Sequence, residues 1–297
     1  MSRTKWKYRL YPTPIDKRWP RLWRNSSSTL ILCVGSLIRL LMRQHSLLAI
    51  NLPQTQSLLH QIYAKRNRSI VSVMNHSGTW DDLCVTSLLA NCKSQLSNPD
   101  YMRLTPVAAD ICFKNWFSSV FFSLGNCVPA YRTLRDPKTG AVQIVGHGVY
   151  QESFNFLVSE LKRGGRWVNI LPQGRVIVGP EKAKETEIRF RWGVGRLIAD
   201  SEPTPIVLPI WHEGVETINP LADNVFQYFW FGLQALCRGG LPITVNFGEP
   251  LDLTPLVQRL KQEGATREAM RIAITDKVQE CMMKLRAETI KLHEKRL

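Results

Sequence analysis

The chain predicts an α/β fold, a mixed sheet flanked by helices, preceded by an N-terminal membrane-associated segment. Three observations predict it. Short β-branched or apolar runs of strand length alternate with segments of helical periodicity, the pattern of a sheet covered by connecting helices. The 297 residues are 44% hydrophobic, enough for one large core, and no linker-like stretch divides them. The first fifty residues have a different character, basic and aromatic and then uncharged.

Residues 1–24 hold eight Lys or Arg against one acid, Asp16, interleaved with Trp6, Tyr8, Tyr11, Trp19 and Trp23. Pro12, Pro14 and Pro20 prevent one continuous helix and leave the stretch too broken for an amphipathic transit peptide. Cationic side chains mixed with Trp and Tyr suit a membrane interface, and can also stack on nucleic acid. Residues 25–38 are then uncharged, 14 in all, bracketed by Arg24 and Arg39. That is too short to cross a bilayer upright, but it suits a core helix or a helix lying in one leaflet. The flanking arginines and upstream tryptophans favour the leaflet.

Residues 69–74 read as a buried strand and 83–90 as a helix. Further on, 105–109 is a short strand, 116–124 an apolar helix or groove wall, and 127–131 an extended run ending at Arg132. Residues 136–140 form a turn. An amphipathic helix is expected over 147–163, with Val149, Phe154, Leu157, Val158 and Leu161 on one face and His147 solvated. A strand at 167–171 leads into a tight turn at 172–175. Residues 179–187 are charged and expected to be mobile. A helix over 190–199 contains Gly193 and Gly195, glycines that imply close packing or close ligand approach. A strand at 206–210 ends at Trp211-His212-Glu213, where His212 reads as structural. The aromatic run 226–236 is either core or membrane contact. The last strand is 243–248. A final helix from Thr266 packs through Met270, Ile274, Val278, Cys281 and Leu285.

The chemistry concentrates at Asn75-His76-Ser77-Gly78-Thr79-Trp80-Asp81-Asp82. His76 falls at a strand end and Asp81 in the first turn of the next helix, where the dipole favours a carboxylate. Ligands bind at that edge of open α/β sheets. An imidazole can take a proton from a hydroxyl near neutral pH, provided a partner on its other nitrogen fixes the tautomer. Five residues of turn allow Asp81 to be that partner. No serine or cysteine nucleophile is needed if the substrate hydroxyl attacks. A capping Asp beside a surface His would look the same in sequence.

The 39 Lys and Arg against 24 Asp and Glu give a net charge of +15, which implies an anionic partner. Seven scattered cysteines, none in a Cys-x-x-Cys pair, read as reduced core residues rather than disulfides or a zinc site. Asn75-His76-Ser77 is formally a glycosylation sequon, and glycan there would block the motif, which argues against a glycosylating compartment.

Four blocks occur in order: Asn75-His76 to Asp81, Gly125 to Arg132, Leu171-Pro172-Gln173-Gly174-Arg175, and Val207-Leu208-Pro209-Ile210. This arrangement resembles the glycerolipid acyltransferase superfamily. Residues 124–129, 188–199, 208–212 and 248–251 are closer still to its branch of phospholipid–lysophospholipid transacylases that remodel cardiolipin. The resemblance spans about residues 65–290 and implies an acyltransferase domain over 51–297, behind a membrane-interacting segment at 1–50. It implies His76 and Asp81 as the catalytic pair, and Arg132, Gln173, Gly174 and Arg175 as substrate-binding residues. Arg196 is a further candidate for phosphate. It implies cardiolipin, monolysocardiolipin and phosphatidylcholine as substrates, and no metal, cofactor or nucleic acid. It also implies monotopic attachment to mitochondrial membranes, facing the intermembrane space. The third block departs from the family, which has Glu where this chain has Gln173. Gln keeps an acceptor oxygen, loses the charge and gains a donor.

Three other readings compete. An acyl-CoA-dependent lysophosphatidate-type acyltransferase shares all four blocks. A metal-dependent phosphohydrolase using His76, Asp81 and Asp82 needs more ligands than the spacing offers. A basic protein binding nucleic acid or anionic membrane explains the charge but not the ordered blocks.

Overall fold

The computed structural model describes residues 20–90, 97–135, 139, 141–144, 148–218 and 225–297. The basic stretch before residue 20, His147, and all of the 136–140 turn except Thr139 lie outside the described residues. Helix α1 (Pro20–Arg43) leads into β1 (Ser46–Ile50) and α2 (Leu52–Lys65). The strand β2 (Ile70–Met74), buried at every position, feeds α3 (Asp81–Leu89). Then come β3 (Thr105–Ala108), the single turn α4 (Ala109–Cys112), α5 (Trp116–Leu124) and β4 (Cys127–Ala130). Two short strands, β5 (Leu134–Arg135) and β6 (Val142–Ile144), pair with each other. The remainder runs α6 (Glu152–Lys162), β7 (Trp167–Ile170), α7 (Pro180–Ala183), α8 (Gly193–Ala199), β8 (Ile206–Glu213), α9 (Val225–Arg238), β9 (Pro242–Phe247), β10 (Leu251–Asp252), α10 (Thr254–Gln262) and α11 (Arg267–Glu294).

The sheet is mixed, in the order β1-β9-β8-β2-β7, with β10 also on β8. Strands β7, β2 and β8 are parallel, β9 is antiparallel to β8, and β1 is parallel to β9. Leu104 bridges Val168 in parallel, which carries the β3–β4 pair on beyond β7. The carboxyl ends of β2, β7, β8, β3 and β4 therefore lie along one edge. Two cores cover the faces. One joins α1, α2 and α3 to the sheet through Ile31, Met42, Leu59, Val85 and Leu89, and the other joins α6, α8 and α11 through Leu157, Leu161, Leu197, Ile274 and Val278.

Three differences from the sequence reading have physical causes, and one open alternative is decided. The uncharged run is part of a 24-residue helix, because Arg24 and Arg39 end the apolar stretch without ending the helix. Arg24 pairs with Asp100 at 2.6 Å, and Arg39 donates to the carbonyl of Ala90. The helix is long and apolar enough to cross a membrane, yet Ile31, Ile38, Leu41 and Met42 on one face are buried in the core. The amphipathic helix starts at Glu152, not 147, because Gln151 is held extended by its side chain, which bonds both Tyr131 N (2.7 Å) and Tyr131 O (3.0 Å). Strand β8 runs on through Trp211-His212-Glu213, since β9 pairs with all three. The glycines of α8 serve packing: a Cβ on Gly195 would stand 2.2 Å from the backbone oxygen of Arg271 on α11.

Candidate active site

The His76 motif is built where parallel pairing of β2 with β8 runs out at Met74–Ile210. There the Asn75 side chain takes over as a false strand. Its amide donates to His212 O (3.0 Å), and its oxygen accepts from His212 N (3.0 Å). Both ends of the Asn75 side chain are thus used inside the protein, and it is wholly buried. The next residues turn sharply, held by Asp81 from the first position of α3. Asp81 Oδ2 accepts from Ser77 N (2.6 Å), Gly78 N (2.8 Å) and His76 Nδ1 (3.0 Å). A carboxylate accepts only, so Nδ1 carries the hydrogen and Nε2 is left as the base. Asp81 is fully buried, while the His76 side chain is 23% exposed. The arrangement is an oriented imidazole with a solvent-reachable basic nitrogen.

Asp82 points away from His76, as the ~100° step of a helix requires. The guanidinium of Arg103 grips it, and it also accepts from Asn169 Nδ2 (2.7 Å) and Thr105 Oγ1 (3.1 Å). Its carboxylate is consumed there, which removes it from any metal-ligand set with His76 and Asp81. The thiols nearby are not nucleophiles: burial pushes Cys127 up to about 12 and raises Cys84 as well.

The third block follows β7 onto the same edge. Ile177 N donates to His76 O at 2.7 Å, which fastens this loop to the motif. Gln173 is buried, and its amide donates to Glu185 Oε1 (2.7 Å). Burial raises the Glu185 carboxyl above its ordinary range, against the opposing pull of Arg286. A Glu at 173 would set a second carboxylate against Glu185, so the Gln of this chain suits its surroundings. Gly174 has φ +70°, and a Cβ there would meet Arg191 Nε at 2.4 Å. Gly174→Ala is therefore expected to cost about 1–3 kcal/mol, read as a lowered Tm in a thermal melt.

Segment 179–187, expected to be mobile, is instead pinned. Lys182 on α7 contacts Glu213 Oε2 (2.5 Å) and Glu216 Oε1 (2.6 Å), and Ser77 Oγ donates to Glu216 Oε2 (3.1 Å). Burial alone would push the Glu216 carboxyl up; the Lys182 ammonium outweighs it and holds it below the usual range. Sequence reading missed Lys182, Glu185 and Glu216, because each acts through a partner distant in the chain.

The arginines divide. Arg132 follows β4 at the active edge, partly exposed, and pairs with Asp110 (2.5 Å). Arg175 is half exposed and pairs with Glu181 (3.0 Å). Arg196 is buried, donating to Val149 O and Asn155 Oδ1, so it does not reach the edge. Several helices of this half of the molecule carry large exposed apolar side chains. They are Ile111, Trp116 (61% exposed) and Phe117 (75% exposed) on α4–α5, Leu37 and Leu40 on α1, and Trp230 and Leu233 on α9. Trp80 of the motif lies against α9, where a Cβ on Gly232 would come within 2.6 Å of its ring. Phe226, Tyr228 and Phe229 lie outside the described side chains.

The mixed sheet carries a His–Asp pair at its carboxyl edge, and the Acyltransferase family pattern matches residues 56–213, which hold that pair. Tafazzin of Drosophila melanogaster is 34% identical over 295 residues, which cover 96% of this chain and 68% of that protein. The Dictyostelium discoideum protein named taffazin is 34% identical over 160 residues, 52% of this chain and 48% of that protein. N-acylphosphatidylethanolamine synthase of Arabidopsis thaliana is 31% identical over 256 residues, 77% of this chain and 79% of that protein. The chain belongs to the tafazzin family of acyltransferases. It is an enzyme of phospholipid metabolism, and the family together with the apolar α1 marks it as membrane-associated. The lysophosphatidate-type alternative is not favoured by these relatives.

Proposed function

We propose that the protein is a CoA-independent phospholipid–lysophospholipid transacylase that remodels cardiolipin. The observation that carries the reading is the Nε2 of His76, which has no partner among the described residues, with the ring oriented by Asp81. Nε2 takes the proton from a free glycerol hydroxyl of monolysocardiolipin. The hydroxyl oxygen attacks the ester carbonyl of phosphatidylcholine, and a new C–O bond forms. Collapse of the tetrahedral intermediate breaks the donor ester, and the leaving glycerol oxygen takes the proton back from His76. One ester replaces another, so the exchange is nearly thermoneutral, reversible and needs no thioester. Both lipids enter sideways from one leaflet. Arg132 and Arg175 meet their phosphates, shifting away from Asp110 and Glu181 to do so. Gln173 and Gly174 serve by holding the loop that carries Arg175. The membrane is the mitochondrial one, with the enzyme attached from the intermembrane space through residues 1–50 and its exposed apolar side chains, and the catalytic body spanning 51–297.

Vesicles of acyl-labelled phosphatidylcholine and monolysocardiolipin, incubated with the full chain and no CoA, are expected to yield labelled cardiolipin and lysophosphatidylcholine. Label should also return to phosphatidylcholine when product is supplied. A strict requirement for acyl-CoA overturns the reading. The similarity to the Arabidopsis N-acylphosphatidylethanolamine synthase favours a second reading, with the amine of phosphatidylethanolamine as acceptor. The same vesicles with phosphatidylethanolamine added would reveal an amide product.

A further inference from the structure

We infer that Glu216 is a positioning residue for acyl transfer, acting on the catalytic turn through Ser77. The inference rests on the reading of His76 as the base. Ser77 follows His76 directly and is buried. Its Oγ donates to Glu216 Oε2 at 3.1 Å, since a carboxylate only accepts. Its backbone N–H donates to Asp81 Oδ2 at 2.6 Å, the same oxygen that takes His76 Nδ1. The peptide between His76 and Ser77 is held on its other side by Ile177 N, which donates to His76 O at 2.7 Å. Three hydrogen bonds thus meet within one peptide unit of the base, and the one from Glu216 arrives from beyond the end of β8.

Glu216 is suited to this because its own place is fixed from elsewhere. It lies in the single 3₁₀ turn Val215–Thr217 that follows β8. Val215 and Ile218 are buried in the core, and Thr217 Oγ1 closes the turn onto Gly214 O at 2.6 Å. Gly214 has φ +85°, and a Cβ there would come within 2.3 Å of Pro242 O on β9, so the turn lies hard against the sheet. Lys182 contacts Glu216 Oε1 at 2.6 Å. Burial favours the neutral acid, and the Lys182 ammonium outweighs it and keeps the carboxyl ionised. Both carboxylate oxygens are therefore directed, one to Lys182 and the other to Ser77. The bonds from Ser77 N and Gly78 N to Asp81 close the turn on itself and leave it able to shift as a unit. The Ser77–Glu216 bond ties that unit to the sheet, and so fixes where His76 presents Nε2 to the acceptor hydroxyl.

The test uses full-length variants in the CoA-free exchange assay with phosphatidylcholine and monolysocardiolipin vesicles. Ser77→Ala removes the hydroxyl and keeps the N–H on Asp81. Glu216→Ala removes the acceptor. Each is expected to lower kcat about tenfold, the scale of one hydrogen bond to a charged group, with KM little changed. The double variant is expected within about twofold of either single one, because both substitutions break the same bond. Glu216→Ala also frees one side of Lys182, so a lowered Tm is expected there and not in Ser77→Ala; rates are compared per folded molecule, well below the melt. A lowered Tm with wild-type kcat in Glu216→Ala is the mark of a purely structural role and overturns the inference. So does a double variant about a hundredfold slower than wild type, since losses that multiply come from separate interactions. If Glu216→Ala does not fold, Glu216→Gln replaces it, keeping an acceptor oxygen for Ser77. A kcat within about threefold of wild type there, beside a tenfold loss in Ser77→Ala, supports the inference, and any other combination overturns it. Failure of the underlying reading would appear separately, as turnover in a variant lacking His76.

Discussion

Replacing His76 by alanine is expected to reduce acyl exchange by about a thousandfold or more, while the protein folds and sediments with vesicles as before. General-base catalysis alone contributes ~10²–10⁴, and the acceptor hydroxyl has no other activated route. Burial raises the thiols of Cys84 and Cys127, which leaves them protonated, and the carboxylates of Glu213 and Glu216 are occupied by Lys182. Folding should survive because the side chain is partly exposed and, among the described residues, makes one hydrogen bond, to Asp81. Removing it leaves Asp81 still held by the N–H groups of Ser77 and Gly78. Measured initial rates with labelled lipid, alongside thermal melts and vesicle sedimentation, separate the two effects. Turnover near wild type would sink the mechanism, whatever the melts showed.

Asp82→Ala should behave in the opposite way. Arg103 is almost wholly buried, and its charge is balanced by Asp82. Burial works against a charged Arg103, and the Asp82 carboxylate more than compensates, so its pKa lies above the ordinary value. The same carboxylate gathers Asn169 and Thr105, while Asn169 Oδ1 accepts from Ser72 Oγ (2.7 Å) and Arg103 also donates to Gly125 O (3.0 Å). Strands β2, β7 and β3, helix α3 and the end of helix α5 are thus tied at one knot. Breaking a buried pair from one side costs about 3–5 kcal/mol, because the remaining charge is left without a partner. In a chain of this size that corresponds to a drop in Tm of about 10 °C. The rate per folded molecule, measured well below the melt, should fall far less than in His76→Ala. The double variant Asp82→Ala with Arg103→Leu should regain part of the lost Tm, since it removes the stranded charge. An unchanged Tm in Asp82→Ala would mean that Arg103 does not depend on this carboxylate.

These two neighbours show why part of the site was legible and part was not. The spacing from His76 to Asp81 is closed by a single turn between a strand end and a helix start, so the pair could be read from the chain. Asp82, one residue on, figures in the sequence only as a ligand of the competing metal-dependent phosphohydrolase. Its partners Arg103 and Asn169 come from other elements, and no local pattern names them. The arginines repeat the lesson. Arg132, Arg175 and Arg196 looked alike as candidates for phosphate, but α8 packs Arg196 inward against Val149 and Asn155. The third block was recognised by its residues, yet only the fold shows that Gln173 faces Glu185. Segment 179–187 read as mobile from its charge, because sequence shows Lys182 without the two carboxylates that hold it.

The sequence by itself determined the α/β alternation, most of the strands and the pairing of His76 with Asp81. Each depends on residues a few positions apart: the two-residue period of a strand, the 3.6-residue period of a helix, and the reach of Asp81 across five residues. The tertiary structure alone decided that α1 lends one face to the core, that β1 joins the sheet beside β9, and that Glu216, just past β8, reaches Ser77. Those outcomes depend on strand order, which brings β8 beside β2 across nearly half of the chain, and periodicity along a single segment carries no information about which segment will lie next to it.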